Sequence, residues 1–332
     1  MLDWLRLIRA SGLFTIAANL ATALVVAYYA SGSLDLHPFL VLVFTERGSL
    51  PVVAAASALL YIAGMLWNDI NDVERDRSLH PRRPLPSGRI GLITAYVAAV
   101  LASIGALLVA GQHHSGHGLN AAGVVLALIL LYDFVTKEIP VIGAVTLALV
   151  RASHALFVLL ALGGDYLQVA LIPGPQSTIT EVVLSYPLLL GLYIFGVAWM
   201  AELETRPGRR LELVSAVACM VLAVVLAGVR LGTSHWIADL LRSGGPSPAL
   251  VVIALAWGVV LLGLVAWTVG RPAVAALRSG RRGDIGPAVG AALAGIILVD
   301  ALIATSVHPL AGLLIALLYP VFCAVARVMR MD

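Results

Sequence analysis

Between Asn68 and Asp76 the chain reads N-D-I-N-D-V-E-R-D. Asp69, Asp72 and Asp76 are spaced i, i+3 and i+7, so on a helix their carboxylates fall within a sector of roughly 60°, with Asn68 beside them. Like charges gathered this way repel, and a divalent cation among them relieves the repulsion. Hard carboxylate oxygens suit Mg²⁺, which usually binds through one or two carboxylates, waters and substrate phosphates. The residues that follow, R-D-R-S-L-H-P-R-R-P-L-P-S-G-R, supply Arg77, Arg82 and Arg83, which can clamp phosphate oxygens that the metal leaves free. The chemistry indicated is the gripping of a metal–phosphate complex. The blander alternative is a solvated helix end whose acids pair with its own arginines.

Two more segments carry unusual polar groups. In L-Y-D-F-V-T-K-E-I-P-V-I-G, Tyr132, Asp133 and Lys137 close an apolar run, and Lys137 is the only lysine in the chain. A single ammonium at a membrane edge suits a phosphate contact, or simple snorkelling to lipid headgroups. In W-M-A-E-L-E-T-R-P-G-R-R, Glu202 and Glu204 are two apart and face away from each other on a regular helix. They meet one ligand only if the helix unwinds, which Pro207-Gly208 permits; otherwise they form an exposed charged turn.

The elements that must position these groups follow from composition. Hydrophobic residues make up 61% of 332, charged residues 12%, and the mean hydropathy is +0.99. A soluble domain carries about 25% charged residues, so the fold class is all-α, a polytopic membrane helical bundle. A bilayer needs about 20 mostly apolar residues per helix. Ten candidate spans run near 12–31, 51–67, 91–110, 119–135, 141–163, 182–200, 211–229, 250–270, 285–305 and 309–326, within a single domain over 1–332. The first 31 residues exceed the length of a signal-peptide core and carry Asn19 in their middle, so they are read as a span.

Basic residues test that count. With the N-terminus inside, 17 of the 21 fall in inside segments, Arg47, Arg230 and Arg242 fall outside, and Arg151 lies within a span. This split places both termini on the cytoplasmic side of the plasma membrane. The sequence pI near 9.0 therefore reflects membrane anchoring, and a nucleic-acid partner is excluded because no basic stripe forms. Cys219 and Cys323 lie in apolar runs without paired spacing and read as packing residues. Pro81, Pro84, Pro86 and Ser87-Gly88 end the helix after the acidic motif. Asp300, inside the ninth span, pairs with a cavity residue such as Arg151 or His154, or sits wet near the outer end; the second is the expectation. The histidines of Gln112-His113-His114-Ser115-Gly116-His117 lack acids or cysteines and are a weak metal signal.

Asn68 to Asp76 resembles the N-D-x-x-D-x-x-x-D signature of the UbiA superfamily of intramembrane prenyltransferases. R-R-P-L-P-S-G-R-I looks like that family's basic loop, L-Y-D-F-V-T-K-x-x-P-x-x-G resembles its Tyr/Lys segment, and Arg151-Ala152 stands where the family often has Arg-Gly. Asn19 matches a cavity-facing asparagine of the first helix. The pattern is most similar to the EboC-like branch, and its motifs run in order from Arg6 to Arg210.

The resemblance implies a bundle around a central cavity and a Mg²⁺-dependent transferase that moves a prenyl group from an isoprenoid diphosphate to an acceptor within the membrane. By position, Asn68, Asp69, Asp72 and Asp76 would hold the first metal, Arg77, Arg82, Arg83 and Lys137 would meet the diphosphate with Arg151 and Asn19 nearby, and Tyr132 would line the site. Glu202 and Glu204 would serve a second metal. The family's second motif, like D-x-E-x-D, has Met200 at its first position here, and the family usually has nine spans against ten counted. A carrier of isoprenoid or amphipathic metabolites and an internal terpene cyclase are the rival readings. The acceptor stays unidentified.

Overall fold

The computed structural model describes residues 1–30, 49–112, 117–163, 177–205, 210–232 and 248–329. His113 and His114 of the three-histidine stretch and the Pro207-Gly208 break lie outside them, while His117 opens a described helix. Among the described residues ten helices are long and apolar enough to cross a membrane. A short helix α1 (Leu2–Leu7) turns through Ala10–Gly12 into α2 (Leu13–Ala30). There follow α3 (Ser49–Asn71), the short α4 (Val73–Leu79), α5 (Leu92–Gly111), α6 (His117–Leu131), α7 (Ile142–Gly163), α8 (Ser177–Thr205) and α9 (Arg210–Gly232). The last are α10 (Pro248–Val265), α11 (Arg271–Ser279), α12 (Arg282–Thr305), α13 (Pro309–Ala316) and α14 (Leu318–Met329). Ser306–His308 turns the chain from α12 into α13.

Burial sorts these helices as their sequences require. Every residue of α12 from Ala294 to Thr305 is buried, and all but Asp300 and Thr305 are apolar or glycine, so it forms the centre of the bundle against α2, α8, α10 and α13. α5 and α9 sit outside and turn Ile93, Leu101, Val221 and Val225 outward, the face expected of helices solvated by lipid. Small residues set the closest approaches. A side chain on Gly196 of α8 would stand 2.5 Å from the Ala216 carbonyl of α9, so only glycine permits that crossing. α14 packs on the Ala10–Gly12 turn and on α2, which brings the two chain ends to one face of the bundle.

At that face the acidic motif runs through almost continuous helix. The Asp72 amide donates to the Asn68 carbonyl at 3.1 Å, and the Asp76 amide to the Asp72 carbonyl at 2.8 Å. The arginine loop beyond it has its own anchor: Leu85 and Ile90 bury with Leu7, Leu66, Ile70 and Val73 in a small core separate from the main one. Gly88, at φ 76°, supplies the left-handed turn that folds the loop back.

Candidate active site

Three helix ends and the α1–α2 turn meet around a cavity of about 380 Å³. Its mouth is charged. Asp69 accepts from the Arg9 guanidinium at 2.8 Å, Asp72 from the Lys137 ammonium at 2.5 Å, and Asp76 from Arg83 at 2.5 Å. Lys137 also donates to Asn68 Oδ1 at 2.7 Å, while Asn68 Nδ2 donates to Asp69 Oδ1 at 3.3 Å and Asp72 Oδ2 at 3.5 Å. All three aspartates are buried. Asp69 and Asp76 are thus each matched by one cation and Asp72 by two, Lys137 and, at 3.2 Å, Arg75, so the charges are close to balance. A divalent cation and a diphosphate entering together would leave that balance little changed.

Each side chain has a local reason for its place. Lys137 follows a wide π-type turn, Tyr132–Thr136, closed by the Lys137 amide donating to the Tyr132 carbonyl at 2.9 Å. Such turns often mark functional sites, because the extra residue redirects the next side chain; here it aims Lys137 at Asn68. Asn71 ties the same turn down by donating to the Asp133 carbonyl at 2.5 Å. Arg9 adopts a left-handed φ of 47°, which swings its guanidinium back to Asp69, and its carbonyl accepts from the Tyr61 hydroxyl at 2.9 Å. Desolvation at the mouth opposes the Arg9 charge, but Asp69, with help from Asp72 and Asp76, raises its pKa above the ordinary value.

Glu202 does something its spacing did not suggest. Its two oxygens accept from the amides of Val141 and Ala144, each at 3.0 Å, at the start of α7. A carboxylate there satisfies orphan helix amides and meets the positive end of the helix dipole. It also holds Val141 at φ 66°, an outlying conformation for a β-branched residue. Gly143 completes the joint: a side chain there would lie 3.0 Å from the Thr136 carbonyl and 3.2 Å from Glu202. Glu204 leaves the other way, exposed and beside Gly286 of α12. The helix stays regular to Thr205, so the unwinding that would bring both glutamates to one ligand is absent there.

Deeper in, Arg151 lines the cavity and donates to Asn19 Oδ1 at 3.1 Å and Thr15 Oγ1 at 3.0 Å. Asn19 in turn donates to Asp300 at 2.5 Å, and its carbonyl accepts from Tyr186 at 3.1 Å. Asp300 is fully buried. The expectation of a wet outer-end aspartate is therefore corrected: a chain of hydrogen bonds through Asn19 links it to Arg151, the arrangement that low dielectric demands of opposite charges. His154, also buried, lines the cavity, and neither ring nitrogen has a partner among the described residues.

The site residues expected from sequence thus divide into groups. Asn68, Asp69, Asp72, Asp76, Arg83 and Lys137 come together at the mouth, and Tyr132 lines the cavity. Arg77 pairs with Glu74 on the exposed side of α4, and exposed Arg82 gives its carbonyl to Arg89. Arg151 lies in the wall with Asn19 buried behind it, and their hydrogen bonds run to each other, Thr15 and Asp300 and not to the three aspartates they were grouped with. Arg9, counted in the sequence only as a topology charge, belongs to the mouth. Its proximity to an acidic helix two spans' length away in sequence left no local signal.

Among the described residues no three His, Cys, Asp or Glu side chains stand together as a preformed metal cage. The donor set of Asn68, Asp69 and Asp72 nonetheless fits Mg²⁺, which needs only one or two carboxylates when phosphates and waters complete its shell. Glu202, committed to α7, and Glu204, turned away, do not join that set.

The sequence profile of the UbiA prenyltransferase family matches residues 18–269. A curated relative, the digeranylgeranylglyceryl phosphate synthase of Methanoculleus marisnigri, is 32% identical over 106 residues, 32% of this chain and 38% of that protein. The enzyme of the same name from Sulfolobus acidocaldarius is 32% identical over 124 residues, 36% of this chain and 42% of that protein. The matched stretches span about two fifths of these relatives. The solved apo structure of a UbiA homologue from Aeropyrum pernix K1 shares the fold at a TM-score of 0.56 and 21% identity, over 87% of this chain and 96% of the other.

Proposed function

This chain belongs to the UbiA prenyltransferase family, and from that premise we propose that it transfers a prenyl group from an isoprenoid diphosphate to an acceptor within the membrane, with Mg²⁺ as cofactor. It is an integral multi-pass membrane protein; in our reading it lies in the plasma membrane with both termini cytoplasmic. The carrying observation is the charge-matched mouth, Asp69 with Arg9 and Asp72 with Lys137, opening on a cavity walled by Leu60, Ile129, Val150, Ile194 and Ile296.

The parts divide the work as follows. Asn68, Asp69 and Asp72 would hold Mg²⁺, which when bound would neutralise negative charge on the diphosphate. Lys137, Arg9 and Arg83 swing from carboxylate to phosphate oxygens and stabilise the charge that grows as the prenyl C1–O bond breaks, its electron pair leaving with pyrophosphate. Tyr132 and the apolar walls hold the allylic cation away from water. The acceptor's nucleophile then bonds to C1 and gives its proton to the released pyrophosphate. Asp76, deeply buried, holds Arg83 at the mouth until the diphosphate arrives. Arg151 and Asn19 fix the cavity wall, and Glu202 fixes the joint that presents Lys137.

The test is pyrophosphate release from purified protein given geranyl diphosphate and Mg²⁺, with and without candidate acceptors. Acceptor-dependent release that disappears with chelator, and in Asp72→Ala protein that still inserts and folds, is the expected result. Unchanged release from Asp72→Ala refutes the assignment. Release without acceptor would favour a cyclase, and none at all a carrier.

A further inference from the structure

A second concavity lies on the opposite side of α8 and α12 from the cavity, about 680 Å³ in volume, between α9 and the α10–α11 stretch. Its walls are Val221, Val224, Val225, Leu262, Val265 and Val274, nearly all apolar. An apolar surface alone says nothing in a bilayer, where lipid-facing helices are apolar anyway. Two features single this one out.

First, the surface is hollow. The π-type turn Ala266–Gly270 joins α10 to α11, and the α11 backbone follows it along the groove edge. Gly295 of α12 admits Val269 at 2.5 Å from where its side chain would stand, which sinks the floor. Second, the groove ends in two arginines. Arg271 and Arg278, seven residues apart and so on one face of α11, both line it. Arg9, Arg75, Arg77, Arg83, Arg89 and Lys137 all sit in ion pairs, whereas among the described residues Arg271 and Arg278 make none. Arg271 lies over the Trp267 ring at 4.1 Å, which leaves its guanidinium edge open to an anion. Glu204 beside Gly286 places the end of α11 at the same membrane face as the charged mouth.

We propose that this groove binds one anionic phospholipid, its acyl chain along the valine wall and its phosphate between Arg271 and Arg278. Charge complementarity at the headgroup level and an apolar trough leading inward are what an anionic lipid presents in reverse. A zwitterionic lipid of equal chain length brings its own cation and loses the advantage. Each arginine at the surface contributes about 1 kcal/mol toward an anionic headgroup, so the pair gives about a thirtyfold preference.

The experiment is native mass spectrometry of the full-length protein in detergent, titrated with dioleoylphosphatidylglycerol or dioleoylphosphatidylcholine. Wild type should retain the phosphatidylglycerol about thirtyfold more strongly than the phosphatidylcholine. The double variant Arg271→Gln, Arg278→Gln should lose that preference, while Arg271→Lys, Arg278→Lys should keep most of it. Arg327→Gln, on the distant α14, should change nothing. Val221→Trp fills the trough and should weaken both lipids. Retained preference in the glutamine variant, or full binding in Val221→Trp, overturns the site, as does displacement of the lipid by glycerol phosphate at equal concentration.

Discussion

Replacing Lys137 with Met removes the only ammonium at the mouth and keeps the length of its side chain. In the folded protein Lys137 is 10% exposed and Asp72 is 8% exposed, with 2.5 Å between the charged atoms. Breaking a buried pair costs about 3–5 kcal/mol when the survivor has no other partner. Here Arg75 stays 3.2 Å from Asp72, from the half-exposed side. The stability loss should therefore fall to about 1–3 kcal/mol. The catalytic loss should be larger in proportion. A preorganised donor aimed at developing charge is worth about 10²–10³ in turnover, and Lys137→Met should lower pyrophosphate release from geranyl diphosphate by that factor. Lys137→Arg should recover little, because a planar fork does not fit where one nitrogen now bridges Asn68 and Asp72. Adding Asp72→Asn to Lys137→Met should cost less than the two losses combined, since the pair acts as one unit. Thermal unfolding in detergent separates the two effects. A folded Lys137→Met protein turning over within about twofold of wild type would refute the reasoning.

Other consequences follow from named contacts. Glu202→Ala should strip the amides of Val141 and Ala144 of their acceptor and release the strained Val141 turn, costing about 2–4 kcal/mol and lowering turnover through misplaced Lys137. Glu204→Ala should leave both nearly unchanged, and measured unfolding midpoints of the two variants check the contrast. Asp300→Ala should leave the Asn19 amide unsatisfied and Arg151 without its counter-charge; a loss of about 2–4 kcal/mol in thermal or denaturant unfolding is expected, and a stable variant would mean Arg151 finds its balance elsewhere.

Much of the fold was legible because lipid imposes a strong rule: apolar length counts helices. The ten spans follow from that rule, and so does the acidic face, since i, i+3, i+7 spacing survives the short break at Asp72. What escaped were contacts between segments distant in sequence. Asp69 meets Arg9, sixty residues earlier, and Asn19 meets Asp300, 281 residues later. No periodicity reports such pairs. Glu202 shows the intermediate case. Two-residue spacing correctly implied that it parts from Glu204, but only the packing of α8 on α7 decides that it serves α7's amides.

The central claim is that the mouth built from Asn68, Asp69, Asp72 and Lys137 binds a prenyl diphosphate together with Mg²⁺. Isothermal titration of the purified protein with the unreactive analogue geranyl thiolodiphosphate addresses it without any acceptor. The account predicts tight binding with Mg²⁺ present, and loss of that binding both with chelator and in Asp72→Asn. Equal affinity with and without Mg²⁺, or in the Asp72→Asn protein, would contradict it.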